Sequence, residues 1–238
     1  MPRRARQTAG QVFRYAIATG RALRDPTADL RDALEAAPRV RHRAKLEAQE
    51  LPTFLSRLGD YEGQEQTRLG LELILRTMVR TVEARFARWS EFAELTGPAP
   101  LWRIPADRTK LHREHLVPLA PQVVSILERL QELSRRSEWV FPAKTQTGVV
   151  SENTFIYALY RMGYHGRASV HGFRRTASTI LNEKEFNRDW IERQLAHADG
   201  DEIRDTYNSA QWINGRRQML CWWSGYLDDA KDTGDLIG

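Results

Sequence analysis

Residues 67–79, TRLGLELILRTMV, constrain the fold more than any other stretch, because they predict a helix that is apolar on nearly every face. Such a helix lies inside a protein core or a membrane. No apolar run in the chain approaches the ~18 residues of a membrane span, so a span is excluded. The helix must therefore be the centre of a core, and 41% hydrophobic residues in a chain of 238 supply the side chains around it.

The sequence around this helix predicts further helices and one small sheet. Hydrophobic periodicity places helices at 5–19, 47–59, 121–135, 151–162, 170–183, 188–196 and 211–228. The runs 101–105 and 115–119 have strand character, and the polar, basic stretch between them predicts a hairpin. Residues 139–143, WVFPA, are a candidate third strand. We therefore predict an α+β fold, mainly α-helical, with an antiparallel sheet of about three strands packed among the helices.

Charge and cysteine content narrow the classes of partner and site. The net charge of +5 and the pI near 9.5 hint at a polyanionic partner, although 31 acidic residues offset 36 basic ones. Cys221 is the only cysteine, which excludes an internal disulfide or a thiolate zinc site and fits a reducing cytosol. The sequence contains neither a P-loop nor an obvious carboxylate cluster for two metals, so we expect no cofactor.

The first 45 residues differ in character from the rest. The helix at 5–19 is amphipathic and stops at Gly20, and a lone helix cannot bury its apolar stripe. It either docks on the following domain or is the last helix of a domain whose remainder is absent. The Pro-, Asp- and Arg-rich residues 25–45 predict an interdomain linker. Its basic side chains could follow phosphates, or they could form a solvated surface.

The residue types that chemistry needs are concentrated between His171 and Tyr207. On a helical wheel of residues 170–183, four apolar side chains from Phe173 to Leu181 form one stripe. His171 and Arg174 fall on the opposite face. A histidine and an arginine on one helical turn suit an oxyanion such as phosphate. The alternatives are a satisfied core histidine, which the wheel disfavours, and a surface ion pair for Arg174.

Two further residues in this stretch are open to two interpretations. His197 follows an apolar segment near the end of a predicted helix, where a functional side chain could project or where the helix dipole favours a histidine. Tyr207 lies among polar residues, so it is either a surface tyrosine or a nucleophile.

Together these residues resemble the catalytic region of the tyrosine recombinases, the phage-integrase family. The matching segments are HGFR at 171–174, LAHAD at 195–199 and the tyrosine that follows, and the wider context is most similar to prophage and genomic-island integrases. In that family an arginine follows a buried helix, with an acidic residue three positions later; Arg80 and Glu83 match. A lysine lies in the turn of a β-hairpin before a strand like H-x-V-P-L; Lys110 matches.

The resemblance implies an integrase-type catalytic domain that breaks and rejoins DNA through a 3′-phosphotyrosyl intermediate, without a cofactor. The implied catalytic residues are Arg80, Lys110, His171, Arg174, His197 and Tyr207. Tyr207 is the expected nucleophile, the two arginines bind the phosphate, and Lys110 is the general acid. Glu83 supports them by orienting Arg80 or a histidine. The expected site contains no metal.

The resemblance also implies a domain order. We expect the last helix of a truncated core-binding domain at 1–22, a linker at 23–45, the catalytic domain at 46–230 and a flexible tail at 231–238. The chain would then be the catalytic fragment of an enzyme that integrates or excises a prophage or genomic island.

Its expected partners are double-stranded DNA attachment sites, with a homotetramer on DNA, a monomer off DNA, and accessory DNA-bending or excision factors. The expected location is the bacterial cytoplasm, at the nucleoid, and no membrane is expected to take part. An inactive DNA-binding remnant and a type IB topoisomerase-like nicking enzyme remain alternatives. The C-terminal helix either packs on its own domain or reaches a neighbouring protomer.

Overall fold

A computed structural model describes residues 2–30, 44–134, 137–197 and 212–235. The chain divides after residue 42 into two compact units. The described residues are mainly helical and contain one three-stranded antiparallel sheet, which confirms the predicted fold class. None of the described helices is long and apolar enough to cross a membrane.

In residues 2–30, the described part of the first unit, the chain forms helix α1 at Pro2–Ala18, close to the predicted 5–19. Gly20, at φ 72°, takes the left-handed conformation that ends helices, and Arg21 N–H donates to the Ala16 carbonyl at 2.7 Å. After the helix, Asp25 accepts from both the backbone and the hydroxyl of Thr27, at 2.9 and 2.7 Å. The apolar stripe of α1 is partly exposed.

The second unit is built around α3, Glu65–Thr77, and the prediction of a buried central helix is confirmed. Its start and end are each two residues earlier than predicted. The side chains from Leu71 to Leu75 are inaccessible, apart from the partly exposed Glu72. The other α-helices among the described residues of this unit are α2 Leu51–Gly59, α4 Thr81–Arg85, α5 Pro121–Ser134, α6 Glu152–Arg161, α7 Val170–Glu183, α8 Arg188–Gln194 and α9 Ile213–Asp235.

The sheet consists of β1 Phe92–Ala93, β2 Leu101–Ile104 and β3 His115–Pro118, in that order. The predicted hairpin is confirmed, with Ile104 opposite His115 at its loop end. The prediction of a third strand at 139–143 is wrong. That run is buried at Val140 and Phe141, but its backbone bonds alternately to two segments, since Val140 N–H donates to Ala87 and the Phe141 carbonyl accepts from Val150.

Helix α9 packs on its own unit, against α2, α3, α8 and β3. Met219, Trp223 and Leu227 are inaccessible, and Trp223 Nε1 donates to the Leu75 carbonyl at 3.0 Å. The structure therefore supports self-packing of this apolar stripe. The helix also continues to Asp235, so residues 231–235 are helical where we expected the flexible tail.

The chain enters the second unit across α7. Ser169 Oγ donates to the Ala44 carbonyl at 3.1 Å, and Thr176 Oγ1 donates to the Leu46 carbonyl at 2.7 Å. Between these contacts lies Gly172, where an added Cβ would be 2.2 Å from the Ala44 oxygen. The incoming backbone therefore lies directly on the helix that carries His171 and Arg174.

Candidate active site

Arg80 lies in the turn between α3 and α4, where Met78 ends α3 in the left-handed conformation at φ 57°. Its guanidinium donates to Glu83 Oε1 at 2.8 Å and to the Ala196 carbonyl at 2.8 Å. Its backbone N–H donates to the other oxygen of Glu83 at 2.6 Å. Glu83 is buried, whereas 18% of the Arg80 side chain remains accessible. The carboxylate thus fixes the position of Arg80, and part of the Arg80 side chain remains accessible.

Arg174 is buried in the middle of α7, with 4% of its surface accessible. The wheel placed it on the face away from the core, and that prediction is wrong. The segment before Arg80 and the end of α8 cover this side of the helix, and the guanidinium donates to the carbonyls of Met78 and Leu195. Burial, followed by the charge of Arg80, lowers the pKa of Arg174 to about 10, so it stays cationic at neutral pH.

The two arginines join the same pair of segments, residues 77–80 and 194–197. The Arg174 guanidinium donates to Met78 in the first segment and to Leu195 in the second. The Arg80 guanidinium, from the first segment, donates to Ala196 in the second. The structure therefore brings Arg80, Glu83 and Arg174 into one set of contacts. Like-charged guanidiniums held together with one carboxylate leave an excess of positive charge, which suits a phosphate.

The histidines and Tyr207 are placed differently. His171 is exposed on the first turn of α7, three residues before Arg174. His197 is also exposed, and its Nδ1 contacts Glu192 Oε2 at 2.8 Å. It follows directly after Ala196, whose carbonyl accepts from Arg80. Tyr207, the predicted nucleophile, lies outside the described residues.

Lys110 is exposed in the loop between β2 and β3. Within residues 44–134, 137–197 and 212–235 it makes neither an ion pair nor a hydrogen bond. The loop around it is closed by Thr109, which is buried and whose hydroxyl donates to the Arg113 carbonyl at 2.7 Å. The same hydroxyl accepts from Arg113 N–H at 3.1 Å. The backbone is thus anchored beside a lysine whose side chain is unbound.

His115 connects this hairpin electrostatically to the arginines. It is buried at the start of β3, and its Nε2 has no hydrogen-bond partner among the residues that the structure describes. Burial and then the charges of Arg216, Arg174, Arg193 and Arg80, in that order, lower its pKa well below the usual value. His115 is therefore neutral at pH 7, and the second strand of the hairpin begins within the field of the arginines.

Sequence reasoning missed two residues that contact this site from behind. Gln194 and Arg216 are inaccessible to solvent. Arg216 donates to Gln194 Oε1 from Nη2 at 2.6 Å and from Nε at 3.2 Å. One signal was available, because Gln194 lies one turn after Ile191 on the buried face of α8, where a polar residue needs a buried partner. In the described part of the chain, no group of three or more His, Cys, Asp or Glu side chains could hold a metal.

Two family models match the chain. The model of the phage integrase family matches residues 44–212, and the model of the phage integrase central domain matches residues 1–33. The integrase of Shigella phage Sf6 is 36% identical over 228 residues, which are 95% of this chain and 58% of the relative. The integrase of Enterobacteria phage P4 is 37% identical over 242 residues, 94% of this chain and 54% of the relative. The chain thus spans little more than half the length of these relatives.

Solved structures show the same fold. A lambda integrase dimer bound to a COC′ core site (residues 75–356) matches with a TM-score of 0.60 and 20% identity, covering 86% of this chain and 71% of the other. A lambda integrase tetramer bound to a Holliday junction also matches with a TM-score of 0.60 and 20% identity, covering 83% and 58%. The XerH site-specific recombinase bound to a difH substrate matches with a TM-score of 0.53 and 18% identity, covering 71% and 54%.

Proposed function

Since the chain belongs to the phage integrase family, we propose that it is the catalytic part of a site-specific DNA recombinase that integrates or excises a prophage or genomic island. The observation that carries this proposal is the pair of arginines. Arg80, in the turn between α3 and α4, and Arg174, in α7, converge on one segment, 194–197, where burial and then the charge of Arg80 lower the pKa of Arg174. Two fixed guanidiniums are what the transfer of a phosphoryl group between oxygens requires.

The proposed reaction uses no metal and no nucleotide. The Tyr207 phenol oxygen attacks the scissile phosphorus and forms a phosphotyrosyl bond to the 3′ end, while the bond to the 5′ oxygen breaks. The phenol loses its proton and the leaving 5′ oxygen gains one, so no net proton is consumed. Because the phosphodiester is exchanged for another ester, a 5′ hydroxyl from a second strand can reverse the step.

Each proposed catalytic residue has a separate part in this step. Arg80 and Arg174 bind the non-bridging oxygens, where charge builds up in the transition state. Lys110 protonates the leaving oxygen, and its exposed position in the hairpin loop supports that role. His171 assists proton transfer, and His197 hydrogen-bonds the phosphate.

Glu83 has a positioning role, because its two oxygens bind the guanidinium and the backbone of Arg80. We propose the domain order given above: a last core-binding helix at 1–22, a linker at 23–45 and a catalytic domain from 46. The proposed partners are double-stranded attachment sites, with a tetramer on DNA and a monomer off it. Accessory DNA-bending or excision factors complete the assembly, which would act at the bacterial nucleoid.

A suicide substrate tests the proposal. The duplex carries the attachment sequence, taken from the junctions where the element meets the host chromosome, and a nick that traps the covalent intermediate. In EDTA, we expect a protein–DNA adduct that Tyr207→Phe abolishes. An adduct that survives Tyr207→Phe would show that another residue is the nucleophile.

The remnant alternative makes the opposite prediction in the same assay. If no adduct forms on the junction-derived site, even with the full-length N-terminal part of a relative fused ahead of residue 1, the chain is a DNA-binding remnant. Salt provides a second measurement, because phosphate contacts dominate weak DNA binding. We expect the 238-residue chain alone to bind duplex DNA weakly and to release it at ~0.5 M salt.

A further inference from the structure

The buried residues Gln194 and Arg216 form a polar contact that the proposed reaction does not use. Gln194 Nε2 donates to the Thr77 carbonyl at 2.7 Å, and its Oε1 accepts the two hydrogen bonds from Arg216. An arginine can only donate, so the oxygen of the amide must face Arg216. The nitrogen of the amide must then face Thr77. Arg216 therefore determines which way the Gln194 amide points.

This contact is the first of three that join the segments 77–80 and 194–197. Gln194 bonds to Thr77, Arg174 bonds to Met78 and Leu195, and Arg80 bonds to Ala196. The contacts follow one another in order along both segments. Loss of the hydrogen bond between Gln194 and Thr77 would therefore change the spacing of the carbonyls that bind both arginines.

Arg216 extends the same contact to the hairpin. Its Nη2 donates to the Leu116 carbonyl of β3, next to His115 and on the strand that follows the Lys110 loop. Burial and the nearby charge of Arg193 lower the pKa of Arg216 to about 9, which reflects the cost of keeping a guanidinium away from water. An apolar side chain could fill the same volume without the cost of burying a cation. The presence of an arginine that bonds to a side-chain amide and a backbone carbonyl therefore indicates a functional reason.

We propose that Gln194 and Arg216 are positioning residues, which hold the arginine-bearing segments and the hairpin strand at the separation that phosphoryl transfer requires. This inference rests on the proposed function for its kinetic test. Gln194 and Arg216 are not among the six proposed catalytic residues, and neither side chain contacts the substrate in the proposed reaction.

The sharpest variant is Gln194→Glu in the 238-residue chain. A carboxylate still accepts from Arg216, but it cannot donate to Thr77 and directs an oxygen at that carbonyl. On the nicked attachment-site duplex at saturation, we expect the rate constant for adduct formation to fall on the order of 10- to 100-fold. The Kd for the same duplex should change by less than about threefold, because the phosphate contacts of the surface are unchanged.

The matched control is Gln66→Glu. Gln66 Nε2 also donates to a backbone carbonyl, that of Pro142 at 3.3 Å, and lies outside the contacts of the arginines. We expect this variant to form the adduct at the wild-type rate. Equal slowing in Gln66→Glu and Gln194→Glu would overturn the inference.

A second pair of variants separates positioning from stability. Arg216→Lys keeps the charge but cannot reach both acceptors, while Arg76→Lys removes a buried guanidinium that bonds to Ser224 of α9 at 2.9 Å. Both should lower the midpoint of thermal unfolding. Only Arg216→Lys should slow adduct formation at a temperature where both variants are folded, and equal slowing would overturn the inference. This pair also decides the matter if Gln194→Glu does not fold.

A readout without DNA keeps the two proposals distinguishable. In the wild-type chain, the Nε–Hε NMR signals of Arg80 and Arg174 report the environment of each guanidinium. Gln194→Glu should shift both signals, and Gln66→Glu should shift neither. If wild type forms no adduct even with the N-terminal part of a relative fused ahead of residue 1, the proposed function fails, and the NMR comparison alone decides the positioning role. Unmoved arginine signals in Gln194→Glu would overturn it.

Discussion

The two cationic parts of the candidate site are held in opposite ways. The guanidinium of Arg174 is buried and bonds to two carbonyls, and that of Arg80 bonds to a buried carboxylate and a third carbonyl. Lys110 lies exposed at the hairpin loop, and the described residues offer its ammonium no partner. The arginines are thus oriented in the free protein, whereas the lysine keeps the freedom to reach an oxygen of the proposed DNA substrate. Binding groups benefit from preorganisation, and a proton donor benefits from reach.

Only the side chain of Lys110 differs from the arginines in this way, because the backbone of its loop is well anchored. Thr109 closes the loop through Arg113, and Arg108 of the loop binds Glu91, the residue before β1. Glu91 also accepts from Trp102 Nε1 at 2.9 Å. The freedom of the lysine therefore comes from its own four-carbon stem and does not require a loose backbone.

The largest effect is expected for Arg174→Met. The change removes a proposed phosphate ligand and the guanidinium that donates to the buried carbonyls of Met78 and Leu195. Adduct formation should fall on the order of a thousandfold, and the free energy of unfolding should fall by about 2 kcal/mol. Denaturant titration and the suicide-substrate rate measure the two losses. Arg76→Met, which changes another buried arginine, should lower the free energy of unfolding and leave the rate of adduct formation unchanged. If Arg76→Met slowed adduct formation as much as Arg174→Met, the effect of Arg174 would not be specific to the candidate site.

Lys110→Met should separate the two losses. Adduct formation should fall on the order of a hundredfold or more, while the free energy of unfolding should change by less than about 0.5 kcal/mol because the side chain is exposed. Lys144→Met, at another exposed loop lysine, should change neither. A clear stability loss in Lys110→Met would mean that the ammonium has a structural partner, and the contrast with Arg174 would disappear.

A smaller effect is expected at His115, where the hairpin meets the arginines. Its folded pKa lies below its unfolded value, so the unfolded chain binds the extra proton first as the pH falls. Stability should therefore be complete above about pH 6.5 and decline below it, by at most ~1.4 kcal/mol per pH unit. His115→Gln should make this decline shallower between pH 6.5 and 5. Parallel curves for wild type and His115→Gln would show that His115 is not the group responsible, and His165→Gln, at an exposed histidine, is the control.

The sequence predicted the elements better than it predicted which sides of them are buried. Helix α7 begins and ends where its periodicity indicated, and α3 is buried as its apolar composition required. The third strand was assigned to the wrong segment, since an apolar run indicates burial but not which backbone it pairs with. Arg174 was placed in solvent because a wheel counts apolar residues and cannot register carbonyls that arrive from elsewhere in the chain.

The same limit applies to the candidate site. Arg80, Glu83 and Arg174 were identified by spacing and resemblance; the structure places Arg80 and Glu83 in contact, and the charges of both act on Arg174. Gln194 and Arg216 were not identified, because neither has a reactive group and their partners are a backbone carbonyl on α3 and another on β3. A side chain that serves by bonding to distant backbone has almost no local signature.

Gly172, the glycine of the HGFR segment, allows the incoming backbone to lie in direct contact with α7. Gly172 is helical, and its missing side chain is the space in which the Ala44 carbonyl rests. Any larger residue would lift the incoming chain off α7. A force on the backbone at residue 44 would therefore be applied directly to the helix that carries Arg174, two residues before that arginine. Where the chain enters the second unit, its backbone and the helix that carries Arg174 are therefore expected to move together.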